Sequence, residues 1–147
     1  MKFKFSLEVL LKHRARLEEL ARKDFLMAQN AADESMLRIN QMWQDIDNVR
    51  LSAMEIQHRG GSSAQLLATM DEFINGHKVR IEREKKRFRD LQLFADEKKD
   101  LLIEAAKEFK ILEKLKEKRK ANFKKMKKKQ EVKEIDDIVT MRFKRSL

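Results

Sequence analysis

Arg59-Gly60-Gly61-Ser62-Ser63 is the one stretch in 147 residues that instructs the chain to turn, and it decides the fold. Glycine supplies the left-handed backbone that a tight reversal needs. Two of the chain's three glycines sit in this stretch, and there is no proline anywhere. The flanking sequence is dominated by Lys, Glu, Leu, Ala, Arg and Met, which suit helices, whereas Val and Thr are scarce and Tyr is absent, which disfavours sheets. Ser62 followed by Gln65 fits a capping box, with Thr69 and Glu72 as a second candidate, so a new helix is expected to begin between about residues 62 and 70. The chain therefore reads as helix, turn, longer helix.

Both helices carry a seven-residue repeat. In the first, Leu11, Phe25, Ala32, Ile39, Ile46 and Ala53 occupy one heptad position, a; Leu7, Ala21, Ala28, Met42, Val49 and Ile56 occupy the other, d, with Arg14, Glu18 and Ser35 as polar exceptions. In the second, Ile74, Ile81, Phe88, Ala95, Leu102, Phe109 and Phe123 fall at a, and Leu91, Ala105, Leu112 and Met126 at d. His77, Glu84, Lys98, Lys116 and Arg119 interrupt that seam. A sustained period of about 3.5 predicts a left-handed supercoil. A short turn makes neighbouring helices antiparallel, and closure at the glycines pairs residues whose numbers add to about 123. Small residues then face large ones in several layers, such as Ser35 with Phe88 and Ala32 with Leu91, as a close-packed two-helix seam requires. Long polar side chains such as Glu84 are expected to bend outward from it and to fix its register. His77 is expected to adjust register or to sit partly exposed.

The resulting expectation is an all-α fold: two long helices in an antiparallel left-handed coiled-coil hairpin, with the second helix overhanging. Residues 1–58 form the first coiled-coil segment, with its helix beginning at residue 5. Residues 59–69 form the turn and the start of the second helix, residues 70–119 the second coiled-coil helix, and residues 120–147 a basic overhang and amphipathic tail. Under this register everything after about residue 120 lacks an intrachain partner.

The net charge of +10 is concentrated in that overhang. Lys114 to Lys133 contains eleven Lys or Arg and two acids, a local +9, which leaves the remainder near +1. Phe123 and Met126 continue the seam within this run. Glu131, Glu134, Asp136 and Asp137 then accompany Val132, Ile135, Ile138 and Val139 at helical spacing. Such a basic segment can bind nucleic acid, membrane phosphates or an acidic protein surface. It has one seam-positioned aromatic and no stacking platform, which argues against nucleic acid, and its apolar face is thin for a lipid-binding helix. An acidic or grooved protein partner accounts for both its charge and its hydrophobes. Trp43, at heptad position e, and Phe73, one residue before Ile74, read as either half-buried packing or docking anchors.

No catalytic signature is present: there is no Gly-rich phosphate loop, HExxH, GxSxG or Cys cluster. His13, His58 and His77 are far apart in sequence, so no metal site or other cofactor is expected, and the chain is expected not to be an enzyme. The absence of Cys is compatible with a reducing compartment. No run approaches the roughly 18 apolar residues of a membrane span, and no secretory signal is evident, so a cytoplasmic location is expected.

Phe5-Ser6-Leu7-Glu8-Val9-Leu10-Leu11-Lys12-His13-Arg14, followed by Glu18, resembles the amino-terminal FxLxxLLxxR pattern of the flagellar FliJ proteins. Ile111-Leu112-Glu113-Lys114-Leu115-Lys116-Glu117-Lys118-Arg119, with Glu131 to Ile138, is similar to that family's carboxy-terminal LEKLKEKR and EQKELDE segments. The resemblance covers essentially the whole chain in order, spacing and length. It implies a component of the flagellar type III export apparatus, an antiparallel coiled coil similar to the central stalk of rotary ATPases. The partners it implies are the export ATPase FliI, the export-gate protein FlhA and export chaperones, with placement at the inner face of the membrane at the flagellar base through those partners.

On this basis Lys118, Arg119, Phe123, Lys124, Lys125, Met126, Lys127 and Lys128 are candidates for contact with the ATPase ring, and Met42, Trp43, Phe73 and His77 for contact with the gate. Positions where the family's enteric members carry tyrosines hold Asp45 and Val49 here. The alternatives are the equivalent stalk of a virulence-type secretion system, a nucleic-acid-binding coiled coil with a basic tail, and a homodimer whose overhangs pair through Phe123 and Met126.

Overall fold

The computed structural model describes residues 2–60 and 64–146. Among them are two α-helices, α1 over Glu8–His58 and α2 over Ala64–Ser146, and no strand. The helices form two compact units. One joins α1 up to Glu19, with the residues before it, to α2 from Ile103 onward; the other is made of Leu20–Leu102.

In the second unit the cross-helix partners are Gln29 with Gln92, Arg38 with Glu84, and Asp45 with His77. Their numbers add to 121, 122 and 122, so the helices run antiparallel within two residues of the expected register. Ile39, Ile46 and Ile81 form the buried cluster, with Met42, Ile74 and Phe88 packed against it. Ala28, Ala32 and Ala95 are also buried. The heptad pattern thus places its a and d residues in the seam, and alanines let the backbones approach where large side chains would hold them apart.

In the first unit Arg14 pairs with Glu108, and Lys116 Nζ lies 2.9 Å from Glu8 Oε2. Phe5, Leu11 and Leu112 are buried together, with Phe3, Leu7, Phe109 and Leu115 around them. Here the structure corrects two expectations. The first helix begins at Glu8, not at residue 5, with the Leu7 carbonyl accepting the Leu11 amide at 2.8 Å. A helix continued back through Lys4 would put that lysine at an a position and Phe5 at b, off the seam. A non-helical end lets Phe5 bury instead, and it carries Phe3 onto Phe123 with ring centroids 5.6 Å apart. The bare part of α2 accordingly begins after Phe123, not at residue 120.

Helix α1 closes with Arg59 N–H donating to the Glu55 carbonyl at 3.0 Å and Gly60 N–H to the Gln57 carbonyl at 3.3 Å. Gly60 has φ of 71°, the left-handed conformation that ends many helices. Gly61, Ser62 and Ser63, and with them the first capping box, lie outside the described residues. The second capping candidate is corrected: Thr69 is inside α2, and its hydroxyl donates to the Gln65 carbonyl at 2.9 Å, as a mid-helix threonine does.

Two glycine substitutions should move stability in opposite directions. No atom lies within 4 Å of a Cβ built at Gly60 or at Gly76, so neither change creates a clash. Gly60→Ala should destabilise by about 1 kcal/mol, because only the strained backbone counts. Gly76→Ala, inside α2, should stabilise by about 0.5–1 kcal/mol through helix propensity. Urea unfolding followed by circular dichroism measures both.

Candidate functional site

The basic end of α2 is a helix with a covered root and a bare shaft. At the root, Arg119 donates from its guanidinium to Ser6 Oγ at 2.9 Å and lies 5.5 Å from the Phe5 ring centroid. Phe123 is half-buried against Phe3. These two predicted contact residues therefore hold the amino-terminal segment in place. From Lys124 to Ser146 every residue is exposed, and Met126 is 72% exposed. At 100° per residue, Lys124, Lys125, Lys127 and Lys128 project over an arc of roughly 160°, opposite Met126 on the seam side. Lys118 is exposed just before this shaft. The chemistry is a cationic face opposite a narrow apolar strip, suited to an acidic, grooved surface. Phe3 and Ser6 are contributors that heptad reasoning missed; the signal was the alternation Phe3-Lys4-Phe5, which is not helical.

The second predicted surface lies in the other unit. His77 is buried, its ring stacked on Phe73 at 4.1 Å between centroids and 29° between planes, with Nε2 3.6 Å from Asp45 Oδ2. That corrects the expectation of a partly exposed histidine: aromatic stacking and a carboxylate across the seam accommodate the ring. Asp45, read from sequence as a departure from the family pattern, is the residue that receives His77. Met42 packs against the isoleucine cluster. Trp43 is 37% exposed with Lys85 Nζ 5.9 Å from its ring centroid, and Phe73 is 41% exposed. Trp43 and Phe73 are thus the members of this set that offer apolar surface to a partner.

Between α1 and α2 in this unit lies a polar knot. Ser35, fully buried, donates its hydroxyl to Glu84 Oε1 at 2.8 Å, and Arg38 Nε donates to the same oxygen at 2.9 Å. The Glu84 side chain is only 15% exposed, so it does not bend outward as expected; the hydroxyl opposite gives it a partner. The Ser35 hydrogen bond above all, with the Arg38 hydrogen bond and the charges of Arg38 and Arg87, holds the Glu84 carboxyl below its ordinary pKa, while burial opposes them. Gln29 and Gln92 exchange reciprocal amide hydrogen bonds at 3.2 Å. Among the described residues no group of three His, Asp or Glu is placed to hold a metal ion, and no helix is long and apolar enough to cross a membrane.

A hairpin with this seam and this basic shaft has the form implied by the terminal motifs, and the family model described as Flagellar FliJ protein matches residues 3–147. The chain belongs to the flagellar FliJ family. FliJ membership makes it a component of flagellar protein export, covering both the paired helices and the bare end of α2. Neither the curated proteins nor the solved structures compared with this FliJ chain gave a match.

Ser35→Ala should destabilise the protein by about 2 kcal/mol, because it withdraws a hydrogen bond from a mostly buried carboxylate. Since folding lowers the Glu84 pKa, its stabilisation is complete above the ordinary carboxylate range and is lost as pH falls through that range to the depressed folded value. Thermal unfolding at stepped pH should therefore show a shallower acid limb for Glu84→Gln than for the wild type.

Proposed function

We propose that this FliJ family member is a non-enzymatic stalk that links the export ATPase ring to the membrane export gate. It lies at the inner face of the membrane at the flagellar base and is held there by its partners alone. The observation that carries the reading is the continuation of α2, exposed and cationic, past the last residue that the amino-terminal segment covers. A cationic shaft projecting beyond the two-helix body gives acidic loops of a ring a single helix to surround. Lys118, Lys124, Lys125, Lys127 and Lys128 face acidic loops of the ring, with Met126 meeting an apolar strip, while Arg119 and Phe123 brace the root. Exposed ion pairs contribute about 0–1 kcal/mol each, so the ring guides the shaft without locking it.

Trp43, on the flank of the seam that carries Lys85, and Phe73, on the opposite flank with Asp45 and His77, are the aromatic anchors offered to the gate in this proposal, with Met42 and His77 in the seam between them. Escort of export chaperones belongs to the same reading.

Capture from native cells tests the ATPase link. The intact chain should retain the export ATPase, and a chain truncated at residue 115 should lose it. A full-length variant with Lys124, Lys125, Lys127 and Lys128 changed to Gln should weaken capture by at least about tenfold at unchanged helicity. Undiminished capture by both variants would refute the proposal, and retention of duplex DNA in place of the ATPase would favour the nucleic-acid reading.

A further inference from the structure

The apolar face of α2 does not continue straight along the bare shaft. At 100° per residue, the seam direction marked by Phe123 and Met126 lies roughly 160° around the helix from a second stripe made by Val132, Ile135, Val139 and Phe143. All four residues of that stripe are more than half exposed. A partner continuing the hairpin seam cannot cover this stripe.

The charges beside it indicate what can. Glu131 and Arg142, eleven residues apart, share one flank of the stripe, since eleven residues return a helix to within about 20° of its starting direction. Glu131 and Asp136 lie beside the first half of the stripe, and Arg142 lies beside the second. In a parallel pair of identical helices opposite flanks face each other, so Glu131 would meet the flank that carries Asp136, and Arg142 would meet no acid. An antiparallel pair sets Glu131 against Arg142 twice, and at the same time packs Val132 opposite Phe143 and Ile135 opposite Val139. We infer that the tail of α2, over residues 131–146, docks antiparallel on the same segment of a second copy of this chain. This goes beyond the stalk reading, which uses the residues before it. The contact is weak by construction: it is short, and Asp136 approaches its own copy near the two-fold axis.

Sedimentation of the full chain across a rising concentration series at low salt tests the inference. A monomer–dimer equilibrium is expected. Glu131→Arg and Arg142→Glu should each raise its dissociation constant by about tenfold, and the double reversal should restore it. Asp136→Asn should tighten the dimer even though it adds to an already large positive net charge. Helicity by circular dichroism confirms that each variant is folded; the substituted side chains are exposed. A chain that stays monomeric throughout, single reversals without effect, or a double reversal no better than the singles would overturn the inference. So would a dimer that dissociates on Phe123→Ser or Met126→Ser yet tolerates the charge reversals, because the seam would then be the interface.

Discussion

Everything in this protein depends on one seam between two antiparallel helices. With no third layer to cover it, a residue is buried only if its opposite number across the seam allows it. Among the described residues the largest fully buried side chains are Ile46, Ile81 and Ser35, all of them in the seam. Apolar burial in such a narrow interface is nearly degenerate along its length, since a heptad slip replaces one aliphatic contact with another. The polar partners remove that degeneracy. Glu84 with Ser35 and Arg38, and Gln29 with Gln92, are hydrogen-bonded in one alignment, which also sets Asp45 beside the buried His77; a slipped seam would leave Ser35 without its hydrogen bond and His77 without its carboxylate. Among the described residues no buried side-chain polar atom lacks a partner.

The hairpin and its register were legible in the sequence because a single glycine-rich break and a regular heptad leave little freedom: fixing one end fixes every pairing. The details that escaped are those in which a residue finds a partner the periodicity does not encode. Glu84 turns inward because a hydroxyl faces it; His77 is buried because Phe73 and Asp45 receive it. The amino-terminal residues escaped for the opposite reason. Their pattern is not helical, and Phe3 and Phe5 reach the seam by leaving the helix. Of the predicted contact residues, those on the shaft are as exposed as their charge suggested, whereas Arg119, Phe123, Met42 and His77 spend much of their surface on the protein itself.

Helix α2 therefore serves two physical regimes. Where it is paired, its apolar stripe and polar knots choose a register. Beyond Phe123 it has no cover, and its chemistry changes along its length from cationic to acidic and back to basic, while the apolar direction swings to the other side. The FliJ family match runs through this end; the distribution of charge and hydrophobes along it specifies which surfaces it can meet.

The stacking of Phe3 on Phe123 has a thermodynamic consequence for that end. An isolated helix must overcome a costly nucleation step, whereas a helix continued from an ordered turn need only propagate. The amino-terminal cap packs the turn at Phe123, so the shaft is a helix propagated from an ordered turn. Any molecule that grips the shaft must first secure this order, and its affinity then includes the intrinsic helix preference of residues it never touches. Ala121 and Gln130, one of them the best of helix formers and the other a good one, are in this sense part of the binding energy without being part of the contact.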